Sequence, residues 1–429
     1  MASLALLVFI AVVVAILLGY PVAISLGGVS LVAGYWLLGP AFMQFLPSRL
    51  LGTFSSYVLL AVPMFILMGL ALQRSGLAAV LMQTVGRLLG RVPGGLALAV
   101  LGVGALLAAS TGIVGASVVT LSLIALPVMD GAGYRPSLAS GVVAASGTLG
   151  QIVPPSIVLV LLGSVMQVSV GDLFAAALWP SVALVMSYAT VIVGFAFAKP
   201  AWAPPIDGVS LGTDEVGVRK RLLGVLGPVV LIVAVLGSIL LGAASPTEAS
   251  GVGAVLALGL LYASGERDWR AFEEIGRESL RLSAMVYLIL LGASTFALVF
   301  RGLEGDAALV AWITDAGLDA RTFVIALMLV VFVAGFFIDF IEIIFIVVPV
   351  ALPLVRALDI DPIWLAVLLA VNLQTSFLTP PFGFSLFYLR GAAPTHYRTA
   401  DVYRGIAPFV GLQLLLLLSL LFYPSSFGF

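Results

Sequence analysis

The sequence predicts an all-α polytopic membrane protein, an inverted repeat with two re-entrant helical hairpins and two broken helices. Of its 429 residues, 62% are hydrophobic and 9% are charged, against about 25% charged in ordinary soluble domains. Apolar stretches recur from Leu4 to Tyr423, and their lengths are close to the roughly 20 residues that cross a bilayer. This composition excludes a water-soluble fold, and the scattered basic residues give no footprint for nucleic acid.

The apolar stretches between polar breaks give the expected membrane elements. We place them at 4–18, 21–39, 56–72, 94–129, 138–163, 174–198, 222–243, 250–264, 282–300, 322–355, 364–389 and 406–423. The first stretch is expected to be a mature helix and not a cleaved signal, because Met1, Ala2 and Ser3 carry no basic residue. The sequence has no cysteine, which excludes disulfides and thiolate chemistry.

Two of these stretches, 94–129 and 322–355, are too long for one span. Their centres are rich in polar residues or glycine, with AASTGIVGAS at 108–117 and FFIDFIE at 336–342. Each stretch is either two ordinary helices or a re-entrant hairpin, whose tip exposes backbone only inside the protein or at a wet cavity. The polar centres favour the hairpins.

The basic residues orient the chain in the membrane. With both hairpins returning to the side they entered, one face receives all but four of the 19 Lys and Arg residues. The four exceptions are Arg49, Arg301, Arg321 and Arg356. The positive-inside rule makes the basic face cytoplasmic, so the first hairpin opens from the cytoplasm and the second from outside. If each of these stretches crossed the membrane twice, the following loops would lie on the same faces as with hairpins. The rule therefore does not determine how deep the hairpins reach.

An internal repeat relates the two halves of the chain. A shift of 226 residues superposes Pro127 on Pro353, Pro136 on Pro362, and the pair Pro154 and Pro155 on Pro380 and Pro381. Because the two copies enter the membrane from opposite faces, the repeat is inverted, which is typical of alternating-access transporters.

Each copy of the repeat has a polar segment that ends in a Pro-Pro pair, AASGTLGQIVPPS at 144–156 and NLQTSFLTPPFG at 372–383. Paired prolines should unwind a helix. The freed carbonyls, with side-chain oxygens, would form an oxygen-only site suited to Na⁺. The candidate ion-binding residues are Ser110, Thr111, Gly112, Ser146, Gly147 and Thr148 in the first copy, and Asp339, Asn372, Thr375 and Thr379 in the second. The alternative for each hydroxyl is a bond to its own helix or a helix–helix contact.

Charged residues inside the apolar stretches are few and therefore informative. Asp339 and Glu342 are three residues apart, so on a helix they share a face. They would bind a cation or a proton, or only stabilise a wet hairpin tip. Arg301 follows the stretch 282–300 and is a candidate to bind a substrate carboxylate, because its planar fork suits carboxylates. The alternative is an ordinary loop arginine.

The polar segments between the elements suggest less specific roles. Residues 265–281 carry Trp269, Phe272 and Ile275 at three-residue intervals among charged side chains. This pattern indicates an amphipathic helix on the cytoplasmic membrane surface or, alternatively, a polar connector. Residues 199–221 contain proline and aspartate without periodicity, as expected of a linker. His396 is the only histidine, and we assign it no function.

Several motifs resemble the large membrane subunit of tripartite ATP-independent periplasmic (TRAP) transporters, a DctM-like subunit of the ion-transporter superfamily. They are GASVVTLSLIALPVM at 115–129, ASGTLGQIVPPSI at 145–157, SPTEAS at 245–250, FFIDFIEIIFIVVPVALPLV at 336–355 and NLQTSFLTPPFGFSLFYLRG at 372–391. The resemblance implies a small membrane subunit and a periplasmic substrate-binding protein as partners, Na⁺ as the coupling ion without any other cofactor, and a place in the bacterial inner membrane.

The resemblance also implies an elevator mechanism, in which a transport domain moves against a scaffold. The scaffold would comprise residues 1–72 and 222–300, and the transport domain would comprise residues 94–198 and 322–390. A cytoplasmic linker would lie at 199–221 and a C-terminal helix at 406–429. The motif at 372–391 looks most like that of the family branch associated with 2-oxoacids and related compounds.

The expected function is sodium-driven import of small organic anions. The alternative within transport is a stand-alone anion exchanger of the same superfamily. An intramembrane enzyme is disfavoured, because the sequence offers no Gly-x-Ser-x-Gly with a usable histidine, no paired catalytic aspartates and no metal-ligand cluster.

Overall fold

The computed structural model describes residues 2–112, 114–205 and 217–429. The side chains of Ala2, Ser110, Thr111, Ile313 and Thr314 also lie outside the described part. The described residues are almost entirely helical, and eight helices are long and apolar enough to cross a membrane. The prediction of an all-α polytopic membrane protein is therefore confirmed.

The helices fall into two halves. The first half contains α1 (Ala2–Leu17), α2 (Val22–Leu38), α3 (Leu46–Phe54), α4 (Ala61–Arg74), α5 (Leu77–Leu89), α6 (Gly95–Thr111), α7 (Val114–Gly131), α8 (Pro136–Thr148), α9 (Ile157–Met166) and α10 (Val170–Ala198). The second half contains α11 (Val218–Leu240), α12 (Pro246–Ser264), α13 (Trp269–Gly302), α14 (Gly305–Asp315), α15 (Ala320–Ala334), α16 (Phe340–Ala357), α17 (Pro362–Leu378), α18 (Phe384–Ala392) and α19 (Thr399–Phe422).

The repeat predicted from the prolines is present in the helix boundaries. The offset of 226 residues carries the start of α7 at Val114 to the start of α16 at Phe340, and the start of α8 at Pro136 to the start of α17 at Pro362. It also carries α2 onto α12, α5 onto α14, α6 onto α15, α9 onto α18 and α10 onto α19, and the shifted α1 overlaps α11. The repeat thus covers nearly the whole chain, which is more than the sequence indicated.

The two long stretches each fold into a pair of helices joined by a tight turn, α6–α7 and α15–α16. The first turn is at Gly112, whose φ of +59° is in the left-handed region that glycine adopts at little cost. The second turn occupies residues 335–339. Both stretches are therefore helical hairpins, while their re-entrant depth in the bilayer stays a prediction.

The Pro-Pro segments interrupt their helices, as predicted. A short 3₁₀ turn, Leu149–Gln151, and the cis bond between Pro154 and Pro155 separate α8 from α9. The cis bond between Pro380 and Pro381 separates α17 from α18. Each broken helix consequently has two short halves with an irregular segment between them.

Helix packing gives two groups of elements. In one group α13 lies along α2, α12 lies along α4, and α11 contacts both α12 and α5. In the other group α8 is central and contacts the first hairpin and α19. The two halves cross within this second group, since α18 packs on α7 and α9 packs on α16. Each hairpin therefore contacts the broken helix of the opposite half.

Two expectations about the helices were wrong. The short helices α3, α5 and α14 were missed, because they are shorter than a membrane span and carry polar residues. Residues 269–281 do not form a separate surface helix but begin the 34-residue helix α13. No proline interrupts this segment, and its buried stripe is Ala271, Ile275 and Ser279, whereas Trp269 is 77% exposed.

Candidate ion and substrate site

The tip of each hairpin meets the broken helix of its own half at equivalent positions. A Cβ atom on Gly150 would lie 2.5 Å from the carbonyl oxygen of Ala108 in the first hairpin. In the second hairpin, a Cβ on Gly335 would lie 2.8 Å from Cβ of Ser376. Positions 150 and 376 are related by the repeat offset. Small residues therefore allow a close approach at the same place in both halves.

Two buried oxygens lie one helical turn before these contacts. Ser146 and Asn372 are equivalent under the offset, and both side chains are fully buried. Asn372 Nδ2 donates to the carbonyl of Met328 in α15 at 2.7 Å. Within the described part of the chain, neither Ser146 Oγ nor Asn372 Oδ1 has a hydrogen-bond partner. Since an unpaired buried polar group is costly, these paired oxygens suit a bound ion or water.

Sequence reasoning missed two glutamines on the same broken helices. Gln151 and Gln374 are fully buried, and both amide atoms of each lack a partner among the described residues. Their signal was available, because each is an uncharged polar residue within an apolar stretch next to a Pro-Pro pair.

The other predicted hydroxyls bond to their own helices. Thr148 donates to the carbonyl of Ala145 at 2.9 Å. Thr375 donates to Val371 at 2.7 Å, and Thr379 donates to the carbonyl of Thr375 at 2.6 Å. These bonds match the structural alternative, although a hydroxyl that donates its proton keeps lone pairs for a cation.

The remaining predicted ion-binding residues of the first copy are Gly147, Gly112, Ser110 and Thr111. A Cβ on Gly147 would lie 2.6 Å from Cγ2 of Val118, so this glycine allows α8 to approach α7. Gly112 lies at the hairpin turn. Ser110 and Thr111 form the end of α6, but their side chains lie outside the described residues.

Asp339 and Glu342 form a capping box at the start of α16. Asp339 Oδ1 accepts a hydrogen bond from the backbone N–H of Ile341 at 3.2 Å, and Glu342 Oε2 accepts one from the N–H of Asp339 at 3.3 Å. Both carboxylates therefore satisfy backbone donors at the hairpin turn. This arrangement supports the stabilising role weighed from the sequence, and ion binding by Asp339 stays a prediction.

Arg301 lies in a cleft of about 740 Å³ between the two groups of helices. One wall comes from α3 and α13, and the other from α16 and the end of α9. The cleft contains three arginines, Arg49, Arg301 and Arg356. Its other polar lining residues are Ser48, Thr53, Ser56, Ser164, Gln167 and Ser294. These arginines are three of the four basic residues predicted for the outer face.

The cleft carries a net positive charge. Arg301 Nε donates to Asp306 Oδ2 at 3.2 Å, whereas Arg356 Nη2 donates to the neutral amide oxygen of Gln167 at 3.3 Å. Where the cleft wall is described, it contains no Asp or Glu. The chemistry available is thus recognition of an anion by guanidinium groups. The sequence indicated Arg301 but did not indicate that Arg49 and Arg356 would join it.

An inverted repeat of helical hairpins and broken helices, with a polar cleft between two helix groups, is the arrangement typical of secondary transporters. The chain matches the family model described as "Tripartite ATP-independent periplasmic transporter, DctM component" over residues 9–426. The protein therefore belongs to the DctM family, the large permease subunits of TRAP transporters.

Individual relatives agree with this assignment. The chain is 33% identical to the C4-dicarboxylate TRAP transporter large permease protein DctM of Pseudomonas aeruginosa, over 91% of this chain and 90% of that one. It is 28% identical to the isethionate TRAP transporter permease protein DctMQ of Oleidesulfovibrio alaskensis, covering 96% of this chain and 64% of the relative. The fold is similar to that of the YdaH transporter of Alcanivorax borkumensis, with a TM-score of 0.67, 17% identity, and coverage of 92% and 90%.

Proposed function

We propose that this permease imports small organic anions, carboxylates such as 2-oxoacids or dicarboxylates, driven by a sodium gradient across the bacterial inner membrane. The observation that carries the anion specificity is the cleft lined by Arg49, Arg301 and Arg356. Its volume is within the range of small-molecule sites, about 300–1,000 Å³. The relatives named for C4-dicarboxylate and isethionate support an anionic substrate.

Sodium coupling is supported by the unpaired oxygens of Ser146 and Asn372. They lie at equivalent positions, so the proposal includes two related sodium sites, one in each half. Oxygen ligands suit a hard cation. Each site lies one turn from the contact between a hairpin tip and a broken helix, which would link ion binding to hairpin position.

An elevator movement is supported by the two groups of helices. The hairpins and broken helices would move together as the transport domain, because they cross between the halves. The group around α2, α4, α12 and α13 would remain as the scaffold. The arginine cleft lies at the boundary between these groups, where a substrate would contact both.

The proposed partners are a periplasmic substrate-binding protein and a small membrane subunit. The family description names a tripartite periplasmic transporter of which DctM is one component, and the name DctMQ of the relative from O. alaskensis supports a second permease component. The periplasmic protein would deliver the anion to the outer face, where the three arginines are expected.

Reconstitution in proteoliposomes tests the proposal. Uptake of labelled succinate, pyruvate and isethionate should require an inward sodium gradient, the small subunit and the periplasmic protein. Equal uptake with potassium replacing sodium would refute the coupling. Uptake by the large subunit alone would support the stand-alone exchanger instead.

A further inference from the structure

A hydrogen bond joins the second hairpin to the first broken helix at the wall of the arginine cleft. Arg356 is in the last turn of α16, and its Nη2 donates to Oε1 of Gln167 at 3.3 Å. Gln167 ends α9 with a φ of +59°, an unusual conformation for a residue other than glycine. Both side chains line the cleft, so this bond is within reach of a bound anion.

The repeat places a related bond at the equivalent position of the first half. The offset of 226 residues carries Asp130, at the end of α7, onto Arg356. Asp130 accepts a hydrogen bond from Tyr397 at 2.6 Å and lies 3.2 Å from His396, just after α18. In each half, therefore, the returning arm of the hairpin is tied to the broken helix of the other half. In the part of the chain that the structure describes, only the tie at Arg356 borders the cleft.

The two ties also differ in chemistry. Burial, and then the hydrogen bond to Asp130, raise the pKa of Tyr397, so its phenol stays protonated and donates to the carboxylate. Arg356, in contrast, bonds to an uncharged amide. A carboxylate offers a guanidinium a full opposite charge and two oxygens that match its fork, whereas the amide of Gln167 offers one neutral oxygen. An organic anion in the cleft would therefore compete successfully with Gln167.

We propose that Arg356 senses the anion by exchanging its bond to Gln167 for a bond to the anion, which removes the polar tie between the ends of α16 and α9. Within the transport domain, which otherwise moves as one unit, the second hairpin shifts locally against the first broken helix more readily when the cleft is occupied. This inference rests on the proposed anion transport and adds the residues that report occupancy. Arg356 contacts the anion, while Gln167 is a positioning residue that holds the empty state.

Thermodynamic linkage fixes the direction in which weakening the tie changes the affinity for the anion. If anion binding breaks the tie, then weakening the tie must tighten anion binding. Replacing Gln167 by Met keeps the length of the side chain and removes the acceptor. Q167M should therefore lower the Kd, by roughly two- to fivefold for an exposed interaction of this kind. Q167E should raise the Kd by a similar factor or more, because Arg356 then has a carboxylate partner.

The measurement uses the permease purified with its small subunit, titrated with succinate, pyruvate and isethionate by calorimetry. Tyr397→Phe is the matched control, since it weakens the equivalent tie away from the cleft and should leave the Kd unchanged. A Kd in Q167M equal to or above that of the unaltered protein would overturn the sensing role alone. Absence of binding for all three anions to the unaltered protein would overturn the proposed substrate class and the sensing role together.

A second readout follows release of the tie directly. Because the chain contains no cysteine, a single Ser164→Cys, at the cleft end of α9, can be labelled with a thiol reagent. Its labelling rate should change when the anion that binds is added, and Q167M should show the changed rate without anion. If the anion changes the labelling rate as much in Q167M as in the protein with Gln167, the tie does not control this movement.

Discussion

The guanidinium carbon of Arg135 lies 4.0 Å from the ring centroid of Trp202, and the backbone N–H of Arg135 donates to the Trp202 carbonyl at 3.0 Å. Lys199 Nζ lies 4.2 Å from the same ring. Arg135 immediately precedes α8, whereas Trp202 is at the start of the linker between the halves. The first residues of the linker are therefore attached to the group of helices around α8.

Trp202→Ala should weaken the attachment of this part of the linker. It removes a ring that contacts two cations and stacks with Phe195, so we expect a loss of roughly 1–3 kcal/mol in stability. Trp202→Phe should lose less, because a ring remains. Thermal unfolding of the purified variants in detergent measures the difference, and equal melting temperatures for all three proteins would contradict it.

Ser146→Ala and Asn372→Ala should weaken the sodium dependence of transport. Each change removes a buried oxygen assigned to a sodium site, so the sodium concentration for half-maximal uptake should rise roughly tenfold, as expected for one lost ligand worth about 1.4 kcal/mol. Ser140→Ala is the matched control on the same helix, because its hydroxyl donates to the carbonyl of Pro136. Unchanged sodium activation at normal protein abundance in both variants would place the coupling ion elsewhere.

Asp339 can be tested for two roles at once. Asp339→Asn keeps an acceptor for the N–H of Ile341, whereas Asp339→Ala removes it and should cost about 1 kcal/mol of stability. If Asp339 only caps α16, the Asn variant transports with unaltered sodium dependence. A shifted or abolished sodium dependence in Asp339→Asn, at normal stability, would assign the charge to ion binding, which is the result we expect.

Gly112→Ala should destabilise the first hairpin turn. The added Cβ would lie 2.7 Å from Cγ1 of Ile157, and the φ of +59° costs an L-residue roughly 1–2 kcal/mol. Uptake and melting temperature should both fall. Gly251→Ala is a suitable control, since a Cβ there meets no atom within 4 Å. Equal behaviour of the two variants would show that the turn tolerates the change.

The re-entrant depth of the hairpins can be measured by cysteine accessibility in this cysteine-free chain. Single cysteines along α6 and α7 should label only from the cytoplasmic side, and those along α15 and α16 only from outside. Labelling from both sides within either hairpin would mean two complete spans. The expected result would show that the two hairpins enter the bilayer from opposite faces and that neither crosses it.

The features that sequence predicted well depend on local chemistry. Proline removes a backbone donor, so the pairs at 154–155 and 380–381 interrupt their helices wherever they occur. Glycine tolerates the left-handed conformation, so the turn at Gly112 was also recognisable. The positions of these residues then reveal the repeat, because a constant offset relates them.

The features that were not predicted depend on contacts between distant segments. Nothing in the sequence distinguishes the unpaired hydroxyl of Ser146 from that of Thr148, which bonds to its own helix. Arg49 and Arg356 enter one cleft only because α3 and α16 approach each other. Similarly, the polar start of α13 resembles a surface helix until its contacts are known.

The crossing of the two halves has a consequence for synthesis of the protein. The faces of α7 and α9 that contact α18 and α16 are made early, but their partners leave the ribosome near the end of translation. The first half therefore waits in the membrane with these faces uncovered by the rest of the chain. Contacts that form so late expose a nascent protein to misassembly, which makes this interval the stage at which an insertase or a chaperone would be most needed.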